Sequence, residues 1–155
     1  MSFNKDLNFG QQYEKLFCDF MGLTDFNISK GKFKPYDILD NVTNLKYEVK
    51  SDRLGYKTGN IAIEYECSNK PSGITSTEAD YYPYFIINKN SYDLYLIPVE
   101  VIREKIKTGN RRSVNGGDGY RSKMYLFKIS EFVEYKKSDN NINVQSQTIS
   151  AEVDE

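Results

Sequence analysis

The chain is expected to fold as an α/β protein, and three patterns carry that expectation. In residues 8–21 the apolar side chains Phe9, Tyr13, Leu16, Phe17, Phe20 and Met21 recur at helical spacing and form one stripe, with Gly22 as a stop. Short alternating or apolar runs bounded by polar turns then fill most of residues 34–98, which is the pattern of strands. A second helical pattern covers residues 99–107, turning Val101, Ile102 and Ile106 inward and Arg103, Lys105 and Lys107 outward.

The strands can be taken in order. Residues 34–40 and 45–52 read as two arms of a hairpin, because Asn41, Val42, Thr43 and Asn44 between them have a turn composition. A loop closing at Asp40 and Leu45 sets Asp37 opposite Glu48, with facing Cβ atoms roughly 4.5–5.5 Å apart. Since side chains alternate along a strand, Glu48 and Lys50 share a face with Asp37, while Tyr47 and Val49 turn the other way into the core. A slip of one residue would reverse this arrangement. Residues 60–66 alternate Ile61, Ile63 and Tyr65 with Ala62, Glu64 and Glu66, a half-buried strand whose acids either approach the site or lie on the surface. Residues 84–88 and 94–98 form a hairpin around a turn at 89–93, residues 124–129 return as a strand, and 130–133 begin the last turn of order.

Composition narrows the chemistry. The 155 residues include no histidine, so a hydrolytic site must work through carboxylates, lysine and a hard cation. Cys18 and Cys67 have no paired spacing and read as free thiols in a reducing compartment. The sequence carries no signal-peptide pattern, no apolar run long enough for a bilayer and no repeat, so a soluble, intracellular (cytoplasmic) protein is expected. One domain is expected over residues 1–137, followed by a polar, disordered tail at 138–155. The tail holds acids and no bases. Without it the chain has 21 Lys and Arg against 18 Asp and Glu, a balance of +3, whereas the whole chain carries −1.

The candidate site is the trio Asp37, Glu48 and Lys50. Two facing carboxylates can hold Mg²⁺ with several waters left on the ion, which polarises a phosphodiester and acidifies a bound water. A neighbouring ammonium stabilises the charge that develops. Without a cation the carboxylates repel each other.

In Pro35-Tyr36-Asp37 and Glu48-Val49-Lys50 the sequence resembles the PD-(D/E)XK nuclease superfamily, departing from it by the tyrosine between proline and aspartate. The resemblance implies a restriction-endonuclease-like αβββαβ core, a central mixed sheet flanked by helices. It also implies Mg²⁺-dependent cleavage of DNA phosphodiesters, with Mn²⁺ able to substitute. Asp37 and Glu48 would be the metal ligands and Lys50 the residue beside the nucleophilic water. Members that resolve branched DNA place a further acid on the first helix, and Glu14 matches that placement; the alternative for Glu14 is a solvated helix glutamate paired with a lysine. A compact domain of this kind resembles Holliday-junction resolvases, which work as homodimers. A binding module of viral or mobile-element origin, recognising nucleic acid or a host protein without cleaving, is the other reading of the same fold.

Two segments are candidates for gripping a phosphate backbone. Residues 69–82 are rich in hydroxyls, and Lys70, Ser72, Thr75 and Thr77 are typical phosphate contacts, with Gly73 permitting close backbone approach to a ligand. Similar turns occur in small phage-type members of the superfamily. Alternatively, Ser76 or Thr77 caps a helix starting near Glu78. Residues 110–123 place Arg111, Arg112, Arg121 and Lys123 around a glycine-rich stretch, either as a mobile basic loop on DNA or as a connector with ordinary solvated charges.

Overall fold

The computed structural model describes residues 2–31 and 34–137, so the tail expected at 138–155 lies outside the described residues. Helix α1 (Ser2–Met21) ends at Gly22. There a φ of +66° lets the Gly22 N–H reach the Asp19 carbonyl (3.2 Å) and the Leu23 N–H reach the Cys18 carbonyl (3.0 Å), the paired bonds of a Schellman turn. The buried stripe is shorter than expected. Tyr13, Phe17 and Cys18 are buried and Phe9 and Leu16 pack at the margin, but Phe20 and Met21 are 39% and 37% exposed. The core under α1 takes up the middle of the helix and leaves its last turn outside.

The first sheet has six strands and mixed direction. Strand β1 (Phe26–Ile28) pairs antiparallel with β2 (Ile38–Asp40), and β2 pairs antiparallel with β3 (Lys46–Tyr47). The hairpin register is the expected one, with Ile38 opposite Tyr47 and Leu39 opposite Lys46. The second arm, however, is two strands in place of one, β3 and β4 (Lys50–Asp52). Both run parallel to a single strand, Tyr81–Asn88, in one register, with Tyr47 opposite Tyr81 and Lys50 opposite Tyr84. That register sets Pro83 opposite Val49. The Tyr81 carbonyl accepts the Glu48 N–H (3.0 Å), so alternate residues of this strand, Pro83 among them, face the same edge. Proline has no N–H to give there, and the ladder lapses at Glu48 and Val49.

Parallel neighbours need a long crossover. Here it contains a single helical turn α2 (Gly55–Thr58), β5 (Asn60–Cys67), β6 (Lys70–Pro71) and a 3-10 turn at Gly73–Thr75, before the chain re-enters the first sheet as β7 (Tyr81–Asn88). Strand β7 then pairs antiparallel with β8 (Ser91–Pro98) through a turn at Lys89 and Asn90, tighter than the expected five residues. Helix α3 (Val99–Thr108) follows as expected. The segment expected as a loose basic loop instead holds β9 (Ser113–Gly116) and a 3-10 turn at Asp118–Tyr120, and leads into β10 (Ser122–Lys128). The last described element is a 3-10 segment, Ile129–Tyr135. Strands β6, β5, β10 and β9, in that order, form a second antiparallel sheet. The strand that follows the lysine strand in sequence, β5, therefore belongs to this second sheet.

Strand β7 is buried on both faces, which explains its almost unbroken apolar sequence. Phe85 and Ile87 join Tyr47, Ile38 and Leu94 beneath α1. Tyr82, Tyr84 and Ile86 turn the other way, against Ile61, Ile63 and Phe127 of the second sheet and Ile102 of α3. The result is a mixed α/β fold whose central mixed sheet is flanked by helices. No helix among the described residues is long and apolar enough to cross a membrane.

Two expectations for the crossover change. No helix begins at Glu78: Thr77 Oγ1 accepts the Ala79 N–H (3.1 Å) in a local turn, and the chain passes directly into β7. Gly73 does permit a close approach, but to the protein itself. A Cβ built there would collide with the Glu64 backbone of β5, and the φ of +53° is one that favours glycine. Gly73→Ala is therefore expected to lower stability by about 1–3 kcal/mol. Urea unfolding followed by circular dichroism checks this, and an unchanged midpoint would mean that the turn can shift away from β5.

Candidate active site

The lapse between β3 and β4 is where the acids gather. Asp37 lies one residue before β2 and is buried. Its backbone N–H donates to the Tyr47 carbonyl (2.9 Å), which fixes it to the hairpin. Its carboxylate takes the place of a ladder carbonyl, with Oδ2 accepting the Val49 N–H at 2.8 Å. The other oxygen, Oδ1, faces the Lys34 ammonium at 3.2 Å. The same ammonium lies 3.8 Å from Glu14 Oε2 on α1. Glu14 is thus brought to the site, with its side chain only 12% exposed. Burial first, and then the Asp37 carboxylate beside it, raise its pKa above the ordinary glutamate value, while Lys34 pulls the other way.

Glu48 and Lys50 form the second half. The Lys50 ammonium donates to Glu48 Oε2 at 2.8 Å and lies over the Tyr82 ring, 5.5 Å from its centroid. Burial works against the Lys50 charge, but Glu48 and then Asp37 and Glu64 outweigh it, so the lysine pKa is raised and the side chain stays an ammonium. Tyr47 and Val49 point into the core under α1, as the alternation requires.

Thr77, expected as a phosphate contact, holds the site from within. Its hydroxyl lies 2.8 Å from Glu48 Oε1 and 3.2 Å from the Pro35 carbonyl. Arg103 of α3 fixes this segment by donating to the Thr77 carbonyl (3.0 Å) and the Ile74 carbonyl (3.1 Å). Asp80 clamps β3 from the same crossover, its carboxylate accepting the Lys46 N–H at 2.8 Å. The Tyr82 hydroxyl is buried beside Glu48 and Thr77 without a hydrogen bond of good geometry. Burial, then the Glu48 charge, drive its pKa far up, so it remains a neutral hydroxyl. Sequence reasoning missed Lys34, Arg103, Asp80 and Tyr82. For Lys34 the position three residues before Asp37 was a signal; for the others none existed without the topology.

A cleft of about 820 Å³ opens next to Lys50 between the two sheets, lined among others by Glu64, Arg53 and Gly73. Arg53 lies over the Phe9 ring, its Cζ 3.7 Å from the centroid. Of the two acids on β5, Glu64 reaches this cleft, while Glu66 pairs with Lys123 (3.0 Å) on the second sheet.

The other candidate contacts lie apart from the trio. Lys70 is exposed on β6. Ser72 Oγ is buried without a hydrogen-bond partner, and Thr75 Oγ1 donates to the Tyr65 carbonyl (2.8 Å). Arg111 is held by Glu131 (2.7 Å) and lies over the Phe127 ring, while Arg112 and Arg121 are exposed. Among the described residues no cluster of three or more metal-ligating side chains is assembled; the acids meet as pairs.

No protein-family model and no curated protein matches this chain. Among solved structures, that of a bacterial homing endonuclease is similar, with a TM-score of 0.50 and 20% sequence identity, covering 83% of this chain and 84% of that one. At this identity the likeness is one of fold.

The Thr77 and Tyr82 hydroxyls should behave oppositely on removal. Thr77→Val strips a bonded hydroxyl from Glu48 and should cost about 1–3 kcal/mol, whereas Tyr82→Phe, removing an unbonded one, should change stability by less than about 0.5 kcal/mol. Thermal unfolding of both variants checks the contrast; a large loss in Tyr82→Phe would mean that its hydroxyl bonds Glu48 in solution.

Proposed function

We propose that this protein is a metal-dependent endonuclease that hydrolyses DNA phosphodiester bonds at the Asp37, Glu48 and Lys50 site. The observation that carries the reading is the pair of ordered acids at one lapse in a paired sheet: Asp37 tied to the Val49 N–H and joined to Glu14 through Lys34, and Glu48 paired with Lys50. The fold shared with a homing endonuclease supports the same class.

The donor set fits a hard cation. All the candidate ligands are carboxylate oxygens, and with Oδ2 tied to the Val49 N–H the Asp37 oxygen left for a cation is Oδ1, which faces the Lys34 ammonium. Two carboxylates and a complement of water and phosphate oxygens is an ordinary set for Mg²⁺, and Mn²⁺ accepts the same donors. Bound by Asp37 and Glu48, the ion would supply Lewis acidity toward the phosphoryl oxygen and acidify its water.

The chain's own residues do the rest. Lys50, kept as an ammonium by Glu48 and Asp37, is an electrostatic stabiliser of developing phosphorane charge and a poor proton acceptor near neutral pH. The Thr77 hydroxyl fixes the Glu48 carboxylate, and the Val49 N–H fixes that of Asp37, so neither needs to reorganise as charge develops. Glu14, whose pKa is raised by burial and by Asp37, is a supporting group. The finer part of the proposal is a structure-specific cut on branched DNA by a homodimer, since severing two strands takes two such sites.

Cleavage of labelled four-way junction, linear duplex, single-stranded DNA and RNA, each with Mg²⁺, Mn²⁺ or EDTA, tests the reading. Metal-dependent cleavage is expected, with preference for the junction. Lys50→Ala should slow it by about 10²–10³-fold while DNA binding persists. Asp37→Asn and Glu48→Gln should abolish it with the fold intact, and Glu14→Gln should lower it less. Full activity in either ligand variant would remove the site assignment, and binding without cleavage in every metal would favour a recognition module.

A further inference from the structure

We propose that Lys34 is a resident counter-ion of the site, an ammonium that lies between Glu14 and Asp37 and competes with the metal for the Asp37 Oδ1 oxygen. The inference rests on the metal-dependent reading above and adds a residue that sets how tightly the metal is held.

Three observations lead to it. First, Lys34 faces one particular oxygen. The Asp37 carboxylate has Oδ2 committed to the Val49 N–H at 2.8 Å, and Oδ1, the oxygen left for a cation, is the one 3.2 Å from the Lys34 ammonium. Second, the same ammonium reaches Glu14 Oε2 at 3.8 Å, so it bridges two carboxylates from different elements, both little exposed. Facing carboxylates with no cation between them repel, and a bridging ammonium removes that repulsion. Third, Lys34 and Lys50 divide the acids between them: Lys50 pairs with Glu48 on a strand laddered to β7, whereas Lys34 precedes β2 and belongs to no strand. Both lysine side chains are partly exposed, 29% for Lys34 and 38% for Lys50, so what sets Lys34 apart is its place outside the sheets and its longer contacts.

The consequence is a trade between two cations. A divalent ion on Asp37 Oδ1 and an ammonium on the same oxygen repel each other, so one must leave. Lys34 therefore stabilises the metal-free protein and weakens metal binding by the same competition. Substitution by an uncharged side chain of similar length should move both quantities, in opposite directions.

The test is calorimetric titration of Mn²⁺ into the full chain, wild type beside Lys34→Met, with thermal unfolding of both in EDTA and in Mn²⁺. The variant is expected to bind Mn²⁺ about two- to fivefold more tightly, the range for removal of a partly exposed charge. It should also melt lower in EDTA and show a larger rise on adding Mn²⁺. Lys34→Arg, which keeps the charge, should behave as wild type in both respects. Binding by the variant no tighter than by wild type, even with a lowered melting temperature, would reduce Lys34 to a structural ion pair and overturn the competition while leaving the metal reading intact. Mn²⁺ binding by neither protein would overturn both. Should Lys34→Met fail to fold, Lys34→Gln is read by the same outcomes.

Discussion

The site depends on one register. Tyr47 opposite Tyr81 and Lys50 opposite Tyr84 hold β3 and β4 on a common line along β7, so the two residues between them are fixed at both ends while lacking regular pairing themselves. Pro83 is the reason for the lapse, because it offers no N–H on the edge that faces Glu48 and Val49. An N–H that leaves a ladder needs another acceptor, and the Asp37 carboxylate supplies it for Val49. The same irregularity that interrupts the sheet thus orients Asp37, and Glu48 lies within the same lapse.

The crossover between β4 and β7 does more than connect parallel strands. It builds half of the second sheet, and on its way back it lays Thr77 against Glu48 and Asp80 against the Lys46 N–H. Arg103 of α3 then ties the end of the crossover down through two carbonyls. Asp37 is held by Val49 from the other arm of the hairpin, and Glu48 by Thr77 from the crossover and by its near neighbour Lys50. Such holding groups position charge before a substrate arrives, which is the condition for electrostatic stabilisation to be effective.

Some of this was legible in the sequence, and the reasons are local. The hairpin register followed from a short polar turn between two alternating runs, and the side-chain period of two then fixed which residues share a face. The Gly22 stop and helix α3 were legible for similar reasons. What was hidden depended on partners distant in sequence. Arg111 and Lys123 have the composition of a phosphate grip, yet Glu131 and Glu66 hold them, and no local pattern pairs residues 20 or 57 positions apart. Gly73 has the character of a ligand-approach glycine, but the backbone that approaches it is that of β5. Phe20 and Met21 continue the helical stripe, and only the position of the sheet beneath α1 decides where burial stops.

The two site lysines show how the surrounding structure separates residues of identical chemistry. Lys50 belongs to a strand that is laddered to β7, lies over the Tyr82 ring and pairs with Glu48 at 2.8 Å, so its ammonium has a fixed position relative to both acids. Lys34 lies outside the sheets, and its contacts are longer, 3.2 and 3.8 Å, to carboxylates on two different elements. A charge meant to stabilise a transition state must already be in place and must not relax. A charge that only balances repelling acids has the opposite requirement, because it must be able to leave once a better cation arrives. The strand and the loop meet these two requirements separately. In the roles proposed for them, the division follows from backbone pairing: the lysine on the laddered strand is the fixed stabiliser, and the one outside the sheets is the exchangeable counter-ion.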